Sequence, residues 1–281
     1  MCDFCHKHGE GEKWYLRAKN YSEDLLSDLR RRKLITDFFS NTDSLEAEME
    51  RMRRLDSAPR FVRRAVSWHV SRQMRRDHFG QVVPIEDVER IFNFVGSIVR
   101  IACICRHVGI RTEARYCYGV SMAPDMGAFE ELVRDLQPPH LTGPDTAGLE
   151  RLSKEEALAL FRDHEREGMC HTVWTFGTPF IGGICNCDRT DCFAMQAQLQ
   201  HEVPVMFRAE HVAGVDPDLC NGCRSCMTAC QFGAVGYSAA REKVDIDPRR
   251  CYGCGICRAA CVRDAITLSE RGSVQAAANL W

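Results

Sequence analysis

Cysteines spaced Cys-x2-Cys-x2-Cys-x3-Cys occur twice near the end of the chain, at 220, 223, 226, 230 and again at 251, 254, 257, 261. Around them, nine positions recur identically at an offset of 31. Asp216, Pro217, Cys220, Gly222, Cys223, Cys226, Ala229, Cys230 and Ala234 return as Asp247, Pro248, Cys251, Gly253, Cys254, Cys257, Ala260, Cys261 and Ala265. So many identities at one spacing, four of them thiols, mark a duplicated supersecondary unit. Thiols grouped in this way bind metal or cycle between dithiol and disulfide.

The compartment bears on that choice. Seventeen cysteines in 281 residues would suit a disulfide scaffold only in an oxidising environment. The polar, charged N-terminus is not a secretory signal, and no apolar run is long enough to span a bilayer. A cytoplasmic protein with reduced, metal-binding thiols is expected. At 45% hydrophobic and 27% charged residues the composition is that of a globular protein. A net charge of −2 favours neither nucleic acid nor an acidic membrane surface.

A [4Fe–4S] cubane takes four soft thiolates at tetrahedrally disposed irons. Three cysteines two residues apart can wrap a tight loop around three irons. The fourth, displaced onto a short helical turn, points toward a neighbouring site. Gly222, Gly253 and Gly255 let the backbone pass close to an inorganic core and aim its N–H groups at sulfide. On these residues, 211–269 resembles the bacterial two-cluster ferredoxin family. The resemblance implies two [4Fe–4S] clusters, one held by Cys220, Cys223, Cys226 and Cys261, the other by Cys251, Cys254, Cys257 and Cys230. One feature departs from the family: proline usually follows the fourth cysteine, where this chain has Gln231 and Val262. The alternative, two four-cysteine zinc sites, explains neither the duplication nor the three-plus-one spacing.

The first two hundred residues read as helical, then mixed. Helices are expected over 22–33 after Ser22, over 43–56, from Pro59 with Phe61, Ala65, Val66, His69 and Val70 as an apolar stripe, and over 85–99. The β-branched run Ile98–Cys105 reads as a buried strand, 137–148 as a loop, and Ser153 with Glu156 as a capping box opening a helix to about Glu167. Strands follow over 169–176 and 180–187. The fold class is α+β: a helical, small-sheet N-terminal domain (1–205), a ferredoxin-like dicluster domain of pseudo-twofold βαβ repeats (206–270) and a tail (271–281).

Further cysteines fall within the N-terminal domain. Cys103 and Cys105, like Cys185 and Cys187, stand at i and i+2, which on a strand share one face. If those strands are neighbours, four sulfurs converge, with Cys117 and Cys192 available from adjoining loops. One or two further Fe–S clusters are expected there, with zinc, plain packing or a dithiol as alternatives. The order Cys-x-Cys-Arg, Cys-Tyr-Gly, Cys-Asn-Cys is loosely similar to the front domain of uncharacterised ferredoxin-tailed iron–sulfur proteins. Cys2-Asp-Phe-Cys5-His6 formally matches a haem-attachment pattern. Without export it reads instead as a metal pair completing the N-terminal site, with Cys170-His171 as a further donor, or as a free terminus.

Nine arginines between 51 and 76 offer either a solvated face or a docking face for an acidic redox partner protein. No nucleic-acid motif, Walker loop, dinucleotide fingerprint or Cys-x3-Cys-x2-Cys is present. The expectation is an iron–sulfur electron carrier, or the wiring subunit of a larger anaerobic oxidoreductase, rather than a stand-alone enzyme. Its alternatives are a reductase with its own metal active site in the front domain, or an Fe–S redox sensor.

Overall fold

The computed structural model describes residues 2–136 and 149–281, so the loop expected over 137–148 lies outside the described residues. Seven strands form one sheet: β1 (Gly80–Val82), β2 (Ser97–Ile101), β3 (Cys117–Ser121), β4 (Glu150–Leu152), β5 (Cys170–Thr175), β6 (Ile181–Cys187) and β7 (Met206–Phe207). Their order is β4-β2-β3-β6-β5-β1-β7. Neighbours are antiparallel except β1 and β7, which run parallel. The helices around it are α1 (Asp3–His8), α2 (Leu29–Ser40), α3 (Thr42–Asp56), α4 (Arg60–Asp77), α5 (Ile85–Phe94), α6 (Ile104–Ile110), α7 (Gly127–Leu136), α8 (Lys154–Arg166) and α9 (Phe193–Leu199). Beyond them, β8 (His211–Val215) pairs with β11 (Ile266–Glu270) and β9 (Val235–Ser238) with β10 (Lys243–Ile246). Two short helices, α10 (Ser225–Ala229) and α11 (Ile256–Ala259), complete the C-terminal module.

Local signals explain most boundaries. Ser153 and Glu156 make both bonds of a capping box at the start of α8. Ser22 caps only a 3₁₀ turn, Glu23–Ser27, and the α-helix begins after Asp28, whose carboxylate accepts from the Arg30 N–H. The helix expected to run from 85 to 99 ends at Phe94. Val95 turns extended and the chain enters β2 at Ser97.

Two expectations need correction. The strand expected over Ile98–Cys105 stops at Ile101. Cys103 then caps α6, where the His107 N–H donates to the Cys103 carbonyl at 2.9 Å, and Cys105 lies in the first helical turn. The apolar stripe expected on α4 is not a core stripe either, because no residue of α4 is buried. Phe61 is 75% and Trp68 63% exposed. Val66, Val70 and Met74 instead line an open groove of about 500 Å³ against α2, α3 and α9, and this groove reaches Cys105.

The two halves share a core. Val82, Trp174, Met195 and Met206 from the sheet side pack in one cluster with Val212, Ile246, Ile256 and Ile266 of the C-terminal module. Met206–Phe207 completes the front sheet, so the module begins after it. Residues 271–281 fold back as well: Arg271 and Ala277 are buried, and the Trp281 ring stacks on Phe207 at 4.4 Å.

Burial of polar groups gives this core a pH dependence. His171 on β5 is fully buried, with Nδ1 2.6 Å from Asn186 Oδ1. Desolvation pushes it down to about 4, outweighing the bond to Asn186. Its folded value lies below the unfolded one, so its contribution is complete above about pH 6.5 and is lost as the pH falls toward 4. Relative to His171→Asn, the wild type should lose on the order of 3 kcal/mol of stability across that window. Denaturant midpoints at each pH measure it, and parallel profiles for the two proteins would show that His171 is not held neutral by burial.

Candidate metal centres

In the C-terminal module the two cysteine loops are built by matching hydrogen bonds. The Cys220 N–H donates to the Asp216 carbonyl at 3.1 Å and the Cys251 N–H to the Asp247 carbonyl at 3.0 Å. Gly222 and Gly253 both take positive φ, +72° and +74°. A Cβ at either would lie within 2.2 Å of a carbonyl oxygen, Glu242 in one case and His211 in the other. Only glycine lets the loop close there.

These loops bring thiols together across the repeat. Cys220, Cys223, Cys226 and Cys261 line one small cavity. Burial pushes the Cys226 thiol up to about 11, and the neighbouring charges of Cys261, Cys223 and Cys220 add to the effect. Burial likewise raises Cys257, with Cys254, Cys251 and Cys230 contributing in that order. Backbone N–H groups point at the sulfurs: Ala213 and Gly253 at Cys251 Sγ (3.4 and 3.3 Å), and Ala234 at Cys230 Sγ (3.2 Å). Thiols converging in fours, most of them buried, with N–H donors aimed at Cys251 and Cys230, are a donor set that fits a cubane. Cys223 alone among the eight is exposed.

Gln231, at the position where the resemblance leads one to expect proline, has a role of its own. Its amide donates to the Gly168 carbonyl at 2.6 Å and accepts from the Arg189 N–H at 3.1 Å. This residue thus clasps the module to the front domain, a contact that proline cannot make.

The front-domain thiols also converge. β3 and β6 pair with Cys117 opposite Cys185, and β5 and β6 with Cys170 opposite Cys187. Cys185 and Cys187, at i and i+2 on β6, line an apolar cavity with Cys105, Cys117 and Cys192. Cys103 sits behind them: burial and its contact with Cys117 raise its thiol, while its sulfur accepts from the Tyr116 N–H at 3.0 Å. Cys192 meets both Cys105 and Cys187; their hydrogen bonds hold its thiol well below the ordinary value and drive theirs up. Arg106 is buried beside this group. It pairs with Asp188, lies 3.7 Å from Cys103 Sγ and stacks over Tyr116 at 4.4 Å. A fixed cation favours deprotonated sulfur there. The donors suit a soft-metal centre, reached through a helix start (Cys103, Cys105) rather than two paired strands.

Cys170 links the two regions. It is fully buried, burial raises its thiol, and it hydrogen-bonds Cys254. Cys2 and Cys5 join neither group but meet Glu210 in the linker between β7 and β8. Glu210 carries no sequence signal, since a single glutamate between strands belongs to no motif.

A family model described as a 4Fe–4S dicluster domain matches residues 219–266. The chain thus carries a ferredoxin-like 4Fe–4S domain at its C-terminus, of the class that transfers electrons through iron–sulfur groups. No curated protein matches the chain. Among the described residues no helix is long and apolar enough to cross a membrane.

Proposed function

We propose that this chain relays single electrons through two [4Fe–4S] clusters and a further iron–sulfur centre in the front domain, as a carrier or as the wiring subunit of a larger oxidoreductase. Cys220, Cys223, Cys226 and Cys261 would hold one cluster, and Cys251, Cys254, Cys257 and Cys230 the other. The front centre would draw its ligands from Cys103, Cys105, Cys117, Cys185, Cys187 and Cys192. Bound clusters supply one-electron redox chemistry; the chain supplies thiolates, a dry surrounding and N–H donors to sulfur, which together set the potential.

The observation that carries this reading is a series of buried cysteines that extends across the molecule. It runs from Cys226 past Cys257 and Cys254 to Cys170, then to Cys187 and the front group. A carrier of the ferredoxin type would need only the C-terminal module; the front domain extends the series.

The test is EPR on dithionite-reduced protein. Neighbouring reduced clusters broaden and split one another's signals, so the wild type should show an interacting spectrum. Cys254→Ser should simplify it toward isolated signals. A wild-type spectrum that is a plain sum of non-interacting centres would count against a relay. The groove reaching Cys105 favours one second reading, a reductase acting at the front centre. An iron there lacking a thiolate ligand would support that reading, and full thiolate ligation supports pure transfer.

A further inference from the structure

We infer that Cys2, Cys5 and Glu210 form a separate mononuclear site for a tetrahedral divalent ion of the zinc type, one that staples the N-terminal helix to the start of the C-terminal module. This site is independent of the cluster reading. Its donors come from distant parts of the chain: the thiols from the N-cap (Cys2) and first turn (Cys5) of α1, the carboxylate from the β7–β8 linker. All three are buried, Cys2 at 8%, Cys5 at 0% and Glu210 at 2% exposure.

The geometry suits a small ion. Cys2 Sγ and Cys5 Sγ are 3.3 Å apart, and Cys5 Sγ is 3.3 Å from Glu210 Oε1. Zinc bound tetrahedrally would set sulfur–sulfur and sulfur–oxygen edges of about 3.7 and about 3.5 Å. These two edges therefore need to open by only a few tenths of an ångström, and the third lies within 4.8 Å. A third contact preorganises the carboxylate: the Cys2 N–H donates to Glu210 Oε1 at 2.9 Å.

Chemistry selects the ion. Two thiolates with one carboxylate favour a borderline-soft divalent ion over magnesium or calcium, which prefer oxygen alone. Metal binding takes the thiolate form of each cysteine and so releases the thiol protons; at Cys2, whose thiol is raised by contact with Cys5 and by burial, the ion offsets that cost. The three protein donors leave a fourth position for water.

The site's position explains what the ion does. The Glu210 carbonyl accepts from the Arg271 N–H at 2.8 Å. The Arg271 guanidinium in turn holds the carbonyls of Ala209, His211 and Cys251 at 2.7, 2.8 and 3.0 Å. An ion on Glu210 thus fixes the segment that supports the Cys251 loop.

Metal analysis of anaerobically isolated, full-length protein tests this. Wild type should contain about one zinc per chain beside its iron. Cys5→Ser and Glu210→Gln should each lose that zinc, at least tenfold, while the iron content and visible spectrum stay as in wild type. Cobalt(II) offered to chelator-treated protein provides a second readout that does not require the variants to be stable. Tetrahedral cobalt with two thiolates should give intense visible and near-ultraviolet thiolate bands. Zinc-free wild type that also binds no tetrahedral cobalt overturns the site, as does a Cys2–Cys5 disulfide found by peptide mapping of protein kept anaerobic. Zinc retained at full level in both variants overturns it equally.

Discussion

Anaerobically isolated protein is expected to carry about twelve iron atoms per chain, four in each of three cubanes. Replacing Cys105 and Cys192 together by serine should lower that to about eight, with a loss of about one third of the broad visible absorbance near 400 nm. The pair is chosen because Cys192 is the hub of the front group, meeting both Cys105 and Cys187. Removing the pair takes two of the five thiols that line the cavity and leaves Cys117, Cys185 and Cys187 there, while Cys103 stays behind them with its sulfur accepting from the Tyr116 N–H and Arg106. The three thiols left on the cavity do not complete a cubane's ligand set. Wild-type protein with about eight irons, unchanged by the double substitution, would leave the front domain without a cluster. In that case its cysteines would hold zinc, pack as small hydrophobes or act as a dithiol.

The second large effect concerns which loop depends on Cys230. If each fourth cysteine serves the opposite repeat, Cys230→Ser strips a ligand from the cluster on the 251–257 loop. Its reduced EPR spectrum should then match that of Cys254→Ser and differ from that of Cys223→Ser. Cys261→Ser should do the reverse and resemble Cys223→Ser. The placement of Cys230 beside Cys257, and of Cys261 in the cavity with Cys220, Cys223 and Cys226, motivates the pairing. Should Cys230→Ser resemble Cys223→Ser, each repeat holds its own cluster and the assignment fails.

The sequence carried the C-terminal half of this picture because cluster loops are local. The four cysteines and the first glycine of each repeat lie within one short stretch of chain, and Gly222 and Gly253 answer close approaches visible in the fold. The front group was partly legible. The i, i+2 pair on β6 is a strand property, and Cys117 comes opposite Cys185 by register. The pair at 103 and 105 shows where period alone misleads. A β-branched run continued on paper to Cys105, whereas the chain turns into a helix whose first residues deliver the thiols. Long-range partners were the hardest to see. Nothing near Cys170 points to Cys254, or near Cys5 to Glu210, because those neighbours are separated by scores of residues and meet only through tertiary packing. The arginines of 51–76 were also ambiguous. Several are already engaged within the chain, Arg63 with Glu202, Arg54 with Glu50 and Arg76 with Asp77, so the segment is less free for docking than its charge count implies.

A carrier domain on a tether can load at one place and discharge at another by swinging between them. The hydrophobic layer common to both halves of this chain, reinforced by the Gln231 bridge, forbids that mode of working. Prising the halves apart would wet the residues around Cys170 and Cys254 and strip their shielding. Any redox centres held in the two halves would therefore keep constant intervals, and a change in throughput would have to originate in the molecules that come to meet it.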